Sequence, residues 1–307
     1  MSDLTRIVLV SNPHAGKGRG AKLLPGLVHA LRAALPDTEL DIHETSTFAH
    51  AREQVRHAVA RAQDSTEREA LMVMGGDGMM TLGVDACAET TVPLGMIPAG
   101  TGNDMCRGLG LTGVDPIAAA NRVIRGRTTE VDVLRVRGDL TEGDSQRFVG
   151  TVVATGYDAM VNRRANAMRL PIGNFRYAAA ALGELRVFRP LEYRLVVDGK
   201  PRELEAMVVA VGNTPYFGGG MQACPQADPT DGLLDVTIIH PCSRAVLLTL
   251  LPTMFNGWYV NLPIVETFRA REVRVEGPEI VPMGDGEVLG PAPMDVDVRP
   301  RALKIFG

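Results

Sequence analysis

Within the first 108 residues, three short apolar runs each end in a glycine-rich turn: RIVLV (6–10) leads into SNPHAGKGRG (11–20), ALMVM (70–74) into MGGDGMM (74–80), and PLGMI (93–97) into IPAGTGNDMCRG (97–108). Runs of Val, Ile, Leu and Met without polar alternation are what parallel strands show when helices cover both faces of their sheet. The intervening segments 18–35, 47–63 and 79–89 carry helical periodicity, and 39–43 supplies a further strand, so the rhythm is β-α-β-α. In an open sheet of this kind ligands bind beyond the carboxyl ends of the strands, which is where these turns fall.

After about residue 130 the texture changes. TEVDVLRVRG, RFVGTVVATG, EYRLVVDGK, ELEAMVVAVGN, LLDVTIIH, REVRVEG and MDVDVRP are short, often alternating, and bounded by Gly, Pro or Asp, with helical stretches at 156–188 and 243–257 between them. A chain of 307 residues has room for two domains. The expectation is a doubly wound α/β nucleotide-binding domain over 1–130, followed by a β-rich domain over 131–307 with the pattern of an antiparallel sandwich or barrel, of which a β-sandwich is the expected form.

The net charge of −4 supplies no global positive field for nucleic acid, so none is expected as a partner. The longest apolar stretch, AVLLTLLPTMF at 245–255, is too short to span a bilayer, and MSDLTRIVLVSNP has no signal-peptide pattern, which points to the cytoplasm. Cys87, Cys106, Cys224 and Cys242 form no paired motif, so neither a disulfide framework nor structural zinc is expected.

Glycines at 16, 18 and 20 free the backbone to present N–H groups to an anion at a helix start, although Lys17 is not followed by the hydroxyl of a Walker loop. In the second turn Asp77 offers a carboxylate to a phosphate-bound Mg²⁺, but Asp is equally a helix-capping residue. In the third, Thr101 can donate to a phosphate, while Asn103 and Asp104 can order a metal or its waters. Three such turns at one sheet edge argue for a bound nucleotide.

NPHAG (12–16), GGDG (75–78) and GTGND (100–104), in this order, resemble the bacterial diacylglycerol kinase and related lipid kinase family, whose catalytic domain is shared with sphingosine and ceramide kinases. The resemblance continues through YFGGGMQACPQADPTDGLLDV (216–236) and GDGE (284–287), and so covers nearly the whole chain. It implies ATP contacts from Asn12, Pro13, His14, Ala15, Gly16, Thr45, Gly75, Gly76, Asp77, Gly78, Met79, Met80 and Thr101. It further implies Glu287 as catalytic base, with Asp77, Asp104 and Asp132 organising Mg²⁺ and its waters. A structural Mg²⁺ loop is implied in DPTDGLL, with the Asp231 carboxylate and the carbonyls of Asp228 and Leu233 as ligands. Met79 stands where the family usually has Thr, and Ala15 where it has Ser. Each change removes a hydroxyl near the phosphates, a task that backbone N–H groups can take over.

The implied reaction is transfer of the ATP γ-phosphoryl group to a lipid hydroxyl, with diacylglycerol as the leading acceptor. Two alternatives stand beside it: an NAD kinase-like small-molecule kinase, and a non-catalytic nucleotide- or lipid-binding regulator. Read without the other motifs, the D-G of GDGE is a type I′ hairpin turn. Residues 161–194 hold seven arginines against Glu184 and Glu192, a candidate contact for an anionic membrane surface at the inner face of the membrane, or else a solvated helix face with local ion pairs. The apolar stripe around Met254, Phe255, Trp258 and Tyr259 reads as core rather than lipid pocket. A homodimer is left open.

Overall fold

The computed structural model describes residues 3–111, 116–157, 159–161, 164, 183 and 189–307. The chain forms two compact units: Met1–Val133 with Pro300–Gly307, and Leu134–Arg299.

In the first unit β1 (Arg6–Ser11), α1 (Ala15–Ala34), β2 (Glu39–Glu44), α2 (Phe48–Asp64), β3 (Glu69–Gly75), α3 (Asp77–Cys87) and β4 (Leu94–Pro98) alternate, followed by the short α4 (Asp104–Gly108) and α5 (Pro116–Arg125). The strands lie parallel in the order β2-β1-β3-β4, with Leu9 opposite both Ile42 and Met72, and Met72 opposite Gly95. Residue alternation sends Leu9, Met72, Met74 and Ile97 to one face, where they meet Leu24, Leu27 and Leu31 of α1 and Ala119, Ala120 and Val123 of α5. Val73 and Leu94 point to the other face. There α3 comes so close that a Cβ added at Gly83 would stand 3.1 Å from Val73 and 2.8 Å from Leu94. Burial on both faces is why β1, β3 and β4 read as unbroken apolar runs.

The second unit is a β-sandwich. Its strands are β5 (Thr128–Gly138), which enters from the first unit, β6 (Gln146–Val149), β7 (Val152–Gly156), β8 (Leu191–Val197), β9 (Lys200–Ala206), β10 (Val208–Gly212), β11 (Tyr216–Phe217), β12 (Met221–Gln222) and β13 (Leu234–Ile239). After α6 (Arg244–Thr253) come β14 (Val265–Ala270), β15 (Glu272–Glu276), β16 (Met283–Gly284), β17 (Glu287–Val288) and β18 (Met294–Phe306). One antiparallel sheet runs β14-β13-β10-β7-β16-β17; the facing layer pairs β9, β8, β15 and β18 in turn. Val153, Val209 and Val236 of the first sheet share a single core with Leu195, Val273 and Val296 of the second.

The last residues, Pro300–Gly307, belong to the first unit, whereas the sequence reading grouped them with the β-rich domain. The reason is pairing: Ile305 lies parallel to Leu94, the Glu89 amide donates to Ala302 O (2.7 Å), and the Arg301 amide donates to Asp132 Oδ1 (2.7 Å). The expected helix at 243–257 is α6 followed by 3₁₀ turns at Met254–Asn256 and Trp258–Asn261. Most of 156–188, including Arg163, Arg169, Arg176 and Arg186 of the basic stretch, lies outside the described residues. Of the remaining arginines, Arg189 pairs with Glu279 and Arg194 with Glu276, each at 2.8 Å.

Candidate active site

The first turn is built from left-handed backbone. Gly16, Lys17 and Gly18 have φ of 58°, 60° and 86°, so the regular helix starts only after them. Asn12 Oδ1 accepts the His14 amide (3.0 Å), and the Asn12 amide donates to Met74 O (2.9 Å), fixing the turn to β3. Within this left-handed turn the Gly18 amide donates to His14 O (3.3 Å), whereas the amides of Gly16 and Lys17 find no acceptor among the described residues and are open to an anion. A Cβ at Gly16 would stand 2.2 Å from the Ala99 carbonyl oxygen, so the first turn lies directly against the third.

The second and third turns are stitched together as closely. Gly75 O accepts from the amides of Ala99 (2.7 Å) and Gly100 (3.1 Å), and a Cβ at Gly100 would lie 2.5 Å from Gly76 Cα. Asp77 is the chief clasp: Oδ1 accepts the Asp104 amide (2.7 Å) and Oδ2 the Asn103 amide (2.9 Å). The capping alternative does not hold for the helix that Asp77 opens, whose cap position is Gly76 with no side-chain cap hydrogen bond; Asp77 instead accepts the amides at the start of α4. Asp104 is buried, and its Oδ1 accepts from Arg107 Nη1 at 2.8 Å. Cys106 packs nearby, and burial, reinforced by the Asp77 carboxylate, pushes its thiol up to about 12, which keeps it a protonated packing residue.

Several expected nucleotide contacts prove to be inward-facing. Met79 and Met80 are buried, and their amides donate to Gly76 O at 3.0 and 3.3 Å. Met79 packs under Gly75, where a Cβ would meet its Cγ at 2.4 Å. Thr45 is buried too, its amide and hydroxyl both donating to Ser11 O (2.9 and 3.1 Å), whereas Thr101 is exposed. The amides of Asp77 and Gly78 find no acceptor among the described residues and stand at the positive end of the α3 dipole. Ser11 Oγ and Asn103 Oδ1 are likewise buried without a hydrogen-bond partner among those residues. Uncommitted amides and the Ser11 hydroxyl can donate to a polyanionic ligand such as a triphosphate, whereas Asn103 Oδ1 only accepts and suits a water or a metal-bound water.

In the second unit Glu287 opens β17 and is exposed. Asp285 (φ 49°) and Gly286 (φ 88°) form the two-residue turn between Gly284 and Glu287, so the type I′ reading also holds, and it is this hairpin that presents Glu287. The Asp285 carboxylate accepts the amides of Gly150 (3.0 Å) and Thr151 (2.9 Å) together with the Thr151 hydroxyl. Asn213 braces Gly150 and Thr151, the partners of Asp285, through Nδ2 to Gly150 O (3.1 Å) and its amide to Thr151 O (2.8 Å).

In the proposed metal loop, Asp228 Oδ1 accepts from the Thr230 amide (3.0 Å) and hydroxyl (2.6 Å), and Asp231 Oδ1 accepts the Leu233 amide (2.9 Å). Arg269 approaches Asp231 at 3.5 Å and Asp235 at 3.6 Å. Burial raises the Asp235 carboxyl above its ordinary range, with Arg269 opposing and the Asp231 and Asp228 charges adding, and Asp235 Oδ2 is buried without a partner among the described residues. Among those residues no three His, Cys, Asp or Glu side chains gather as metal ligands, so a cation here would rest on carbonyls beside a carboxylate. That oxygen-only set suits a hard ion such as Mg²⁺.

Residues 6–136 match the diacylglycerol kinase catalytic domain family, and residues 151–307 match the YegS C-terminal NAD kinase beta sandwich-like domain. A diacylglycerol kinase of Mycobacterium tuberculosis is 41% identical over 307 residues, covering 99% of this chain and 96% of that protein. This chain belongs to the diacylglycerol kinase-like lipid kinase family. Sphingosine kinase 1 of Arabidopsis thaliana is 23% identical, over 92% of this chain and 68% of the plant protein. The fold is that of a diacylglycerol kinase from Bacillus anthracis (TM-score 0.72, 20% identity, 100% of this chain and 98% of that one). It extends to a yeast NADH kinase (TM-score 0.55, 12% identity, 99% and 83%).

For this family member, sequence reasoning missed Ser11, Asp285 and Asn213. Ser11 had a faint signal as the small polar residue that closes an apolar strand. Asp285 was visible only as half of a D-G turn, because its partners at 150 and 151 lie 135 and 134 residues away.

Proposed function

We propose that this family member is an ATP-dependent kinase that transfers the γ-phosphoryl group to a lipid hydroxyl, with diacylglycerol as acceptor and phosphatidic acid as product. The observation that carries the reading is the junction of the three glycine turns, fastened by Asp77 and Gly75, in a chain so similar over its full length to a diacylglycerol kinase. The amides of Gly16 and Lys17 in the first turn and those of Asp77 and Gly78 would hold the phosphates; because those N–H groups are already oriented, little reorganisation accompanies binding. With Met79 buried, the hydroxyl lost at that position is no obstacle to a site built on backbone. Asp77 and Asp104, whose oxygens retain further lone pairs, are assigned to ordering the water shell of Mg²⁺. The metal, when bound, would neutralise phosphate charge.

Glu287 is assigned as the base. A carboxylate is too weak to strip an alcohol beforehand, so it takes the proton as the new bond to phosphorus forms. Asp285, tied to Gly150 and Thr151, is a positioning residue that fixes the hairpin carrying it. The test is incubation of the protein with labelled ATP, Mg²⁺, a panel of hydroxylated lipids, and NAD⁺. Label in phosphatidic acid supports the reading, and Glu287→Gln should abolish turnover while ATP binding survives. Label in the dinucleotide alone, or ATP binding with no acceptor phosphorylated, would reject it in favour of a small-molecule kinase or a regulator.

A further inference from the structure

Twenty consecutive residues, 245–264, contain no Asp, Glu, Lys, Arg or His. In the second unit this stretch forms α6 and the two 3₁₀ turns after it, and it divides into an inner and an outer side. Leu247, Leu250, Met254 and Tyr259 are buried, whereas Val246 (39%), Leu248 (40%), Phe255 (56%) and Trp258 (55%) are exposed. The division corrects the sequence reading, which took Phe255 and Trp258 as core along with Met254 and Tyr259. Gly257 makes it: its φ of 70° turns the chain, and a Cβ there would lie 2.8 Å from Gln222 Oε1 and 3.0 Å from Pro225. Tyr259 donates inward to Ala223 O (2.5 Å), Gln222 Nε2 donates to Phe255 O (3.3 Å), and the Trp258 amide donates to Asn256 Oδ1 (3.0 Å). The two aromatic rings are thus held outward by a built turn.

We propose that α6 and these turns are the face by which the protein lies on a lipid bilayer, with Phe255 and Trp258 inserted at the head-group level; this rests on the lipid-acceptor reading above. A second copy of the chain is the competing occupant, and area argues against it. Val246 and Leu248, two residues apart on α6, do not share one face, so the patch is Phe255 and Trp258; at about 150–250 Å² for each aromatic side chain and little more than half of each exposed, they offer on the order of 200 Å². A stable dimer needs about 800 Å² per partner. A bilayer sets no such threshold and requires no matching shape. Trp and Phe are residues of the apolar side of interfacial membrane segments, and residues 245–264 themselves set no carboxylate against anionic head groups. No helix among the described residues is long and apolar enough to cross a membrane, so contact is made by lying on it.

Trp258 is the only tryptophan of the chain and therefore reports directly. The full-length protein is mixed with phosphatidylcholine vesicles, with and without phosphatidylglycerol. The proposal expects the emission to shift to the blue and to be quenched by brominated acyl chains; unshifted, unquenched emission with both vesicle types overturns it. Phe255→Ser combined with Trp258→Ser should lower vesicle co-sedimentation by at least about tenfold at unchanged melting temperature. If that variant instead converts a dimer to a monomer in lipid-free sedimentation and leaves co-sedimentation intact, the face joins two copies and the proposal is wrong. The same variant should phosphorylate a water-soluble short-chain diacylglycerol at the wild-type rate. Failure of the wild type on that soluble lipid would reject the acceptor reading, while the fluorescence still decides the docking face.

Discussion

Asp77 offers the most direct test of how the nucleotide turns are assembled, because its structural task can be measured without nucleotide. Its two oxygens accept the amides of Asn103 and Asp104 and so tie the second turn to the third. Hydrogen bonds to a charged group are worth about 1.5–3 kcal/mol each. Asp77 is only half-buried, so water recovers part of the loss. Asp77→Ala should therefore destabilise the first unit by about 2 kcal/mol, and Asp77→Asn by about 1 kcal/mol, since the amide keeps one acceptor but turns an NH₂ group toward the other N–H. For a unit of this size the Ala variant should melt roughly 4–8 °C lower. The assay is thermal and urea unfolding of the nucleotide-free protein, with amide hydrogen exchange at 100–104 as the local reading. Fast exchange there in Asp77→Ala is expected. If both variants unfold like the wild type and exchange is unchanged, the clasp is not what joins the turns, and Asp77 has to be explained by catalysis alone.

Gly16→Ala places a Cβ in the left-handed region and against Ala99 O, so it should cost at least roughly 2 kcal/mol and weaken ATP binding tenfold or more in calorimetric titration. Asp285→Asn tolerates the same φ but loses the charge shared by Gly150 and Thr151; kcat should fall at nearly constant KM for ATP, whereas a residue without a positioning role would leave kcat alone. The Arg202 hydrogen bond, helped by His240, holds Glu266 below the usual carboxylate range. Its contribution to stability is then present above the unfolded-state value of about 4.3 and is lost as pH falls through the lower folded value. Glu266→Gln should flatten that acid limb of the unfolding-midpoint profile, and an unchanged profile would show the pair to be energetically idle.

What the sequence determined by itself was local. Unbroken apolar runs announced covered parallel strands, because a strand buried on both faces has no use for alternation. Gly16 and Gly18 announced a freed backbone at the start of a helix, which the structure makes left-handed, and D-G announced the I′ hairpin before Glu287, since each reflects dihedral freedom that few other residues have. Ordered motifs over the whole length placed the chain in its family. What only the tertiary structure decided was pairing across long separations. Asp77 caps a helix that begins 27 residues later, Ile305 returns to the edge of β4, Asp285 holds residues 134 and 135 positions away, and Met79 and Met80 turn inward where phosphate contacts were expected. Near 255 the apolar pattern was legible but its direction was not. Hydrophobicity fixes that a side chain seeks cover, whereas the left-handed Gly257 and the partners packed around it fix that Met254 and Tyr259 obtain cover while Phe255 and Trp258 do not.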